Sequence, residues 1–476
     1  MLNFLKSKPT FIEYVNDLDA WVPEVWAAES LAILEENMVI GRLVHTDFSD
    51  EVANFGDIVN TRRPSSFTAE RKGANDDVTV QDAEATNVAV PLDQHVHVSF
   101  LIRDGEESKS FQSLIEEYLQ PAAKAMAEQI DRTLLGQVYQ FLDNSVGILG
   151  SFSSTTAKAT ILDARQKMNE NKAYMTGRNL ILAPGTETET LKLDMFITAN
   201  QVGDEGTAMR EASLGRKLGF DIFMCQNTCA PSVAAGTGNA NELNAAAAVG
   251  DTALTLDGAV LDNGQYFWLE DDGQPLRVAS GGGTVNVVSN RGLKADVAIA
   301  TSDLFEVADG TVDLAGHAGV TTYPIGYSKR IKVDGTGVPH VGQLVAFATV
   351  ASAATVLGEY SIVSIPATGY IVLDRPLEVA LLNNYVVNYG PRGDYNFAFH
   401  RNALALVTRP LAAPKSGTGA LSGVTSYNGL SMRVTITYDG TKQGHLVTLD
   451  CLCGVEVLDT NLGCVMLGGN YTETYA

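Results

Sequence analysis

Between residues 10 and 40 the apolar positions Phe11, Val15, Leu18, Val22, Trp26, Leu31, Leu34 and Met38 recur close to a 3.6-residue period, with carboxylates between them. That spacing predicts an amphipathic N-terminal arm of one or two helices, with a break near Pro23, where the backbone lacks a donor. From Phe48 to Phe67, and again from Val88 to Ile102, the pattern turns to alternation, as in Val96, Val98, Phe100 and Ile102. The stretch between them, Thr68 to Asp77, is polar and carries Glu70, Arg71, Lys72, Asp76 and Asp77. A long two-stranded excursion with a charged tip is expected, and an isolated hairpin of that kind is marginally stable, so it needs something to lie upon. Residues 107–143 hold the strongest helical pattern. Phe111, Ile115, Tyr118, Ala122, Met126, Ile130, Leu134, Val138 and Leu142 form one apolar stripe. Pro121 either kinks this helix or starts its second half in a first turn, where the missing N–H costs little.

Helix and strand alternate from Ser154 to Asn227. Ser154 or Thr155 can cap a helix running to about Lys172, Arg178 to Pro184 reads as a buried strand, and Glu187 to Phe196 returns to helix. The stretch Met209 to Cys225 reads as two glycine-marked turns running into a strand. Near Gln226 the composition shifts: residues 226–385 hold short runs such as Tyr266–Leu269, Leu344–Phe347 and Tyr370–Leu373 between turn residues. They predict an all-β sandwich or barrel inserted into the chain. Afterwards Tyr395–Val407, Leu430–Tyr438 and the run from His445 to Leu467 alternate again as strands. The α/β layer therefore resumes, as one discontinuous domain interrupted by a β module.

The chain has 476 residues, 45% of them apolar, which suggests about three structural units with sizeable cores. The 33 Lys and Arg against 56 Asp and Glu give a formal net charge of −23. A body so acidic is repelled by phosphate and argues against gripping nucleic acid or an anionic membrane face. No apolar run reaches membrane-spanning length, and residues 1–9 are too short and interrupted for a signal segment, so a soluble product made in a cytoplasm is expected. Cys225 and Cys229, Cys451 and Cys453, and the separate Cys464 match no zinc spacing and read as small buried residues.

No catalytic or cofactor motif stands out. The sequence contains no Gly-Lys pair for a phosphate loop, no His-Glu-x-x-His helix and no Gly-x-Ser-x-Gly elbow. Three Gly-Thr-Gly runs lack the third glycine of a dinucleotide site. His95 and His97 share a strand face and could take a metal as a pair, but strand-surface histidines are the simpler reading. Glu270-Asp271-Asp272-Gly273 could hold calcium weakly; a solvated turn is the default. Arg392-Gly393-Asp394 lies where its residues would make a turn. No catalytic residue, cofactor site or metal site is assigned.

Five dispersed segments, in order, resemble the major capsid protein of tailed bacteriophages, and together they span about two thirds of the chain. Asp57 to Pro64 is similar to the strand entering that family's E-loop. Ile102-Arg103-Asp104 through Ile130 to Leu135 resembles its return strand and spine helix. Leu214 to Ile222 resembles a turn and strand of its A-domain. Phe399 to Ala403 with Val407 to Pro410 resembles the strand after the inserted domain of coat proteins that carry one, and Asp459 to Gly463 through Leu467 its closing segment.

The resemblance implies an α+β capsid fold with an inserted all-β domain. Its parts would be an N-terminal arm (1–47), E-loop and P-domain strands (48–103), the spine helix (104–150), a first A-domain part (151–225), the insertion (226–385), and a second A-domain part with closing P-domain strands (386–476). The implied function is self-assembly through hexamers and pentamers into an icosahedral shell, made in a host bacterial cytoplasm. The shell would enclose double-stranded DNA without sequence-specific binding.

The absence of a long N-terminal extension implies a separate scaffolding protein; a portal protein and a decoration protein are further implied partners. Arm and E-loop would find their cores on neighbouring subunits. Arg62, Arg63, Arg71, Lys72, Asp76, Asp77, Asp131 and Arg132 are the candidate intersubunit residues, the last two because they fall off the apolar stripe. Some family members crosslink a loop lysine to a neighbour's asparagine; Lys72 is expected to be an ordinary solvated lysine. The competing readings are an acidic, β-rich glycosidase, which needs paired carboxylates in a cleft, and a phage tail or adhesin protein binding through the β module.

Overall fold

The computed structural model describes residues 18–46, 58–63, 67–73, 77–78, 80–81, 86–104, 118–193, 214–228, 237–239, 245–256, 261–280, 286–289, 291–297, 304–306, 309–314, 322–335, 337–349, 355–391, 393–415, 419–427 and 430–469. Helix α1, Leu18–Asn37, runs through Pro23 without the expected break. Proline there removes one helical hydrogen bond near the start of a long helix, and packing further along outweighs that loss. Ala27, Leu31 and Leu34, followed by Met38, Ile40 and Val44, are fully or almost fully buried. They pack against α2 (Gln120–Gly136) and the strands Leu421–Tyr427 and Leu430–Asp439. This part of the arm therefore finds its core within its own chain, contrary to the expectation that it needs a neighbour.

Pro121 sits in the first turn of α2, where its missing donor would have no helical partner anyway. The stripe residues Met126, Ile130 and Leu134 are buried along α2, and Val138 and Leu142 continue it in a 3-10 segment, Gln137–Asn144. Phe111 and Ile115 lie outside the described residues. Eight residues of 3-10 helix is long for that conformation, and the segment is held from outside. The Tyr139 hydroxyl donates to the Gly342 carbonyl, Gln137 to Asp374, and Lys294 to the Leu142 carbonyl.

Two sheets flank this axis. In the first, Gly444–Val457 pairs antiparallel with Gln94–Arg103, Leu430–Asp439 and Leu404–Arg409, and Leu421–Tyr427 extends it. The second runs in the order Ser145–Val146, Gly463–Gly468, Asp394–His400, Arg178–Leu182, Phe220–Met224, Arg216–Lys217. Arg178–Leu182 and Phe220–Met224 are parallel, and α3 (Ala157–Glu170) contributes Ile161, Ala164 and Met168 to a core with Leu180, Phe220 and Met466. A fourth helix, α4 (Pro184–Leu191), follows the central strand.

Between Met224 and Asp394 every described element is a strand. Six form a sheet; six others, Gly310–Val312, Ile331–Gly335, Leu344–Ala348, Val356–Ala367, Tyr370–Leu373 and Val386–Tyr389, close a barrel around Val345, Phe347, Ile362, Ile371 and Val387. The barrel closes through Val386–Tyr389, so the expected boundary at 385 falls inside it. Met224 pairs with Leu182, and Phe397 with Ile181, from opposite sides of one strand. The chain thus leaves and returns at the same end of the second sheet, about 10 Å apart at two strand spacings.

Candidate subunit-contact surface

Strands Ile58–Arg63 and Thr86–Pro91 form an antiparallel hairpin with Ile58 opposite Pro91 and Arg63 opposite Thr86. Its root packs on the body. Val59 and Val90 pack on Ala405 and Val407, and the Pro91 carbonyl approaches Gly454 so closely that a Cβ there would lie 2.1 Å from it. Further out, the Gln81 side chain accepts from the Thr68 amide at 2.9 Å and donates to the Thr68 carbonyl, tying the two arms together. Among the described residues beyond the root, Phe67 is 64%, Val78 71% and Val80 88% exposed. Three large apolar side chains close together in sequence are thus exposed to water.

Sequence reasoning saw a charged tip and missed this apolar character, although Phe67 and the Val78-x-Val80 alternation were its signal. Arg71, Lys72 and Asp77 are exposed beside these residues. Asp76 lies outside the described residues, as do the side chains of Arg62 and Arg63, whose backbones pair with Asn87 and Thr86.

Asp131 and Arg132 do not join them. Asp131 is fully buried and accepts from the backbone amides of Val39 at 2.9 Å and Gly41 at 3.2 Å. Its burial raises the carboxyl to about 6, against the lowering effect of those amides. The carboxylate receives the turn that follows α1, so its expected availability to a neighbouring subunit is corrected: the partner is a remote segment of the same chain. Arg132 pairs with Glu128 one turn earlier on α2 at 3.8 Å.

The acidic run at Glu270 is also not a solvated turn throughout. Glu270 and Asp271 are exposed, but Asp272 is buried and accepts from the amides of Lys294 at 2.7 Å and Ala295 at 3.1 Å. The Lys294 ammonium in turn donates to the carbonyls of Leu142 at 2.9 Å and Ser145 at 3.0 Å, capping the 3-10 segment, while Arg291 pairs with Asp143 at 3.1 Å. Burial lowers Lys294 to about 8. These contacts fasten the strand-rich middle region to the central axis.

His95 lies 3.5 Å from Asp450, which Arg433 holds with two hydrogen bonds across adjacent strands. The His97 ring stands 6.0 Å from that of His95. Cys225, Cys451, Cys453 and Cys464 are free and buried, and desolvation pushes Cys225 and Cys464 up to about 12.

No protein-family model matches the chain, and no curated protein does. Among solved structures it is similar to one from Mycobacterium phage Che8, at 12% identity and a TM-score of 0.42, covering 90% of each chain. It is similar to a capsid structure of the Cyanophage P-SCSP1u, at 10% identity and a TM-score of 0.42, covering 91% of this chain and 89% of that one. A capsid structure of Staphylococcus phage Andhra aligns at 9% identity and a TM-score of 0.36, covering 90% and 85%.

Proposed function

We propose that the chain is a structural major capsid protein, which assembles with copies of itself into the shell of a tailed bacteriophage. The observation that carries this reading is the hairpin. It projects from a well-packed body with Phe67, Val78 and Val80 in water and its own root firmly docked. A monomeric enzyme gains nothing from such an element, whereas a repeating assembly buries one on each neighbour. The ordered resemblance of five segments to tailed-phage coat proteins supports the same conclusion, as does an acidic, motif-poor chain that gives a packaged genome no strong phosphate contacts.

In this reading Arg62, Arg63, Arg71, Lys72, Asp76 and Asp77 line subunit contacts around the apolar tip. The strands between Met224 and Asp394 form a domain inserted into an α/β unit, standing on the shell surface. A scaffolding protein, a portal protein and a decoration protein are the partners, the shell encloses double-stranded DNA, and assembly takes place in the host bacterial cytoplasm. The test is expression of the chain alone and with a scaffolding protein, followed by sedimentation and electron microscopy. Closed shells of uniform size are expected with scaffold; a monodisperse small species under every condition overturns the reading.

A further inference from the structure

On the strand Gln94–Arg103, His95 and His97 stand two residues apart, so they share one face, and both are exposed. This strand is paired along its whole length, from Gln94 opposite Cys453 to Arg103 opposite Gly444. The two histidines are therefore carried on regular, hydrogen-bonded backbone and not on a loop, which sets their spacing before any ligand arrives. Their ring centroids lie 6.0 Å apart, with the planes inclined at 52°. A zinc-bound imidazole nitrogen lies about 2.0–2.1 Å from the metal, which places two rings sharing one ion roughly 5–6 Å apart. The observed separation already falls in that range.

The neighbouring strands supply support of the kind such a pair needs. Asp450 is directly opposite His97, and Arg433 is directly opposite Asp450, so the three form a row across three strands. The Asp450 carboxylate is buried, and its two oxygens accept from Nε and Nη2 of Arg433. That guanidinium balances its charge, so the carboxylate does not require a histidine cation. His95 nevertheless turns Nε2 towards it, at 3.5 Å. A metal-binding histidine commonly directs one ring N–H to a carboxylate, which fixes the tautomer and leaves the other nitrogen for the ion. Here Nε2 of His95 takes the carboxylate side and Nδ1 is left as the ligand, alongside a ring nitrogen of His97.

We propose that His95 and His97 form a binding site for one divalent transition-metal ion of the class that favours imidazole: nickel, copper or zinc. Among the described residues no third side chain joins the pair as a ligand, so water fills the remaining coordination positions. A site of two imidazole nitrogens suits these ions and disfavours magnesium and calcium, which take oxygen ligands. The inference does not depend on the chain building a shell, because both ligands lie on one strand of one copy.

The test uses the full-length, unassembled chain, with nickel chloride in isothermal titration calorimetry, magnesium chloride as a competitor and cupric chloride in electron paramagnetic resonance. Nickel is expected to bind at one ion per chain, unaffected by excess magnesium, and the copper spectrum to show two coordinated imidazole nitrogens. His95→Ala and His97→Ala should each weaken nickel binding at least about tenfold, because the second imidazole binds intramolecularly. His445→Ala, opposite Ile102 on the same strand pair, should leave it unchanged. His95 and His97 are exposed, so both variants should melt as the parent does. Absence of nickel binding by the parent, binding that survives either substitution of the pair, a copper spectrum with a single nitrogen, or displacement of nickel by magnesium overturns the proposal.

Discussion

The carboxylate of Asp131 holds the backbone amide of Val39 at 2.9 Å, across 92 residues of sequence. With the Gly41 amide at 3.2 Å, the contact fixes the turn after α1 against the middle of α2. It converts an amphipathic arm into part of the molecule's own core.

Asp131→Ala leaves those amides without their acceptor and is expected to destabilise the isolated chain by about 1–3 kcal/mol in urea denaturation. Asp131→Asn, which keeps an acceptor, should cost less. Because the folded carboxyl is raised to about 6 from 3.8, the folded chain binds the extra proton between those values. Stability from this group is therefore present below about pH 4 and lost as pH rises through 6, about 3 kcal/mol at 1.4 kcal/mol per pH unit. Asp131→Asn should flatten that part of the stability-versus-pH curve; an unchanged slope would assign it to other groups.

Lys294 predicts the opposite slope in alkali. Burial lowers its ammonium from 10.5 to about 8, so the unfolded chain holds more protons between those values and stability should rise with pH across that window. Cys464 nearby, raised from 9.0 to about 12, gives the opposite slope above pH 9, so the contribution of Lys294 is read as the difference between parent and variant. Lys294→Met should remove this contribution, so that the stability of the parent gains on that of the variant as pH rises from about 8 to 10.5. At pH 7 it should also loosen the 3-10 segment, whose Leu142 and Ser145 carbonyls lose their donor, with faster hydrogen exchange over residues 142–149 as the readout.

Substitutions in the hairpin test the proposed assembly separately from folding. Phe67→Ser/Val78→Ser/Val80→Ser should leave the chain's own stability within about 0.5 kcal/mol, because these side chains are exposed in the monomer. The same variant should lose assembled particles. Protease should cut the unassembled parent within residues 68–77 and spare it in particles; equal cutting in both states would remove the hairpin from the contact surface.

Excising residues 226–389, so that the barrel's last strand goes with the rest, and joining the ends by a short Gly-Ser bridge tests the proposed insertion. Bridging about 10 Å is undemanding. The remainder should keep its helical and strand circular dichroism yet melt well below the parent, because Tyr266, Leu344 and Ala346 belong to the central core and would leave it exposed. Loss of all cooperative unfolding would mean that the region is part of one folding unit.

Local pattern was enough to locate much of this. The stripe Met126, Ile130, Leu134, Val138 and Leu142 is buried where its period placed it, Pro121 stands in a first turn, and the alternation of residues 96–102 emerges as a strand. A hairpin between residues 58 and 91 was legible too, from the turn of the pattern to alternation on either side of a polar stretch, although its exposed Phe67, Val78 and Val80 were not. These properties arise from neighbours a few residues apart. Asp131 was legible only as a residue off the stripe, and Asp272 only as one acid in an acidic run. What each does depends on amides 92 and 22 residues away, and the energy that sets its role is the desolvation that those segments impose. Pro23 stayed helical, and six short strands closed into a barrel past residue 385, for the same reason: a periodic pattern says which face is buried, while the segment that buries it is chosen by long-range packing.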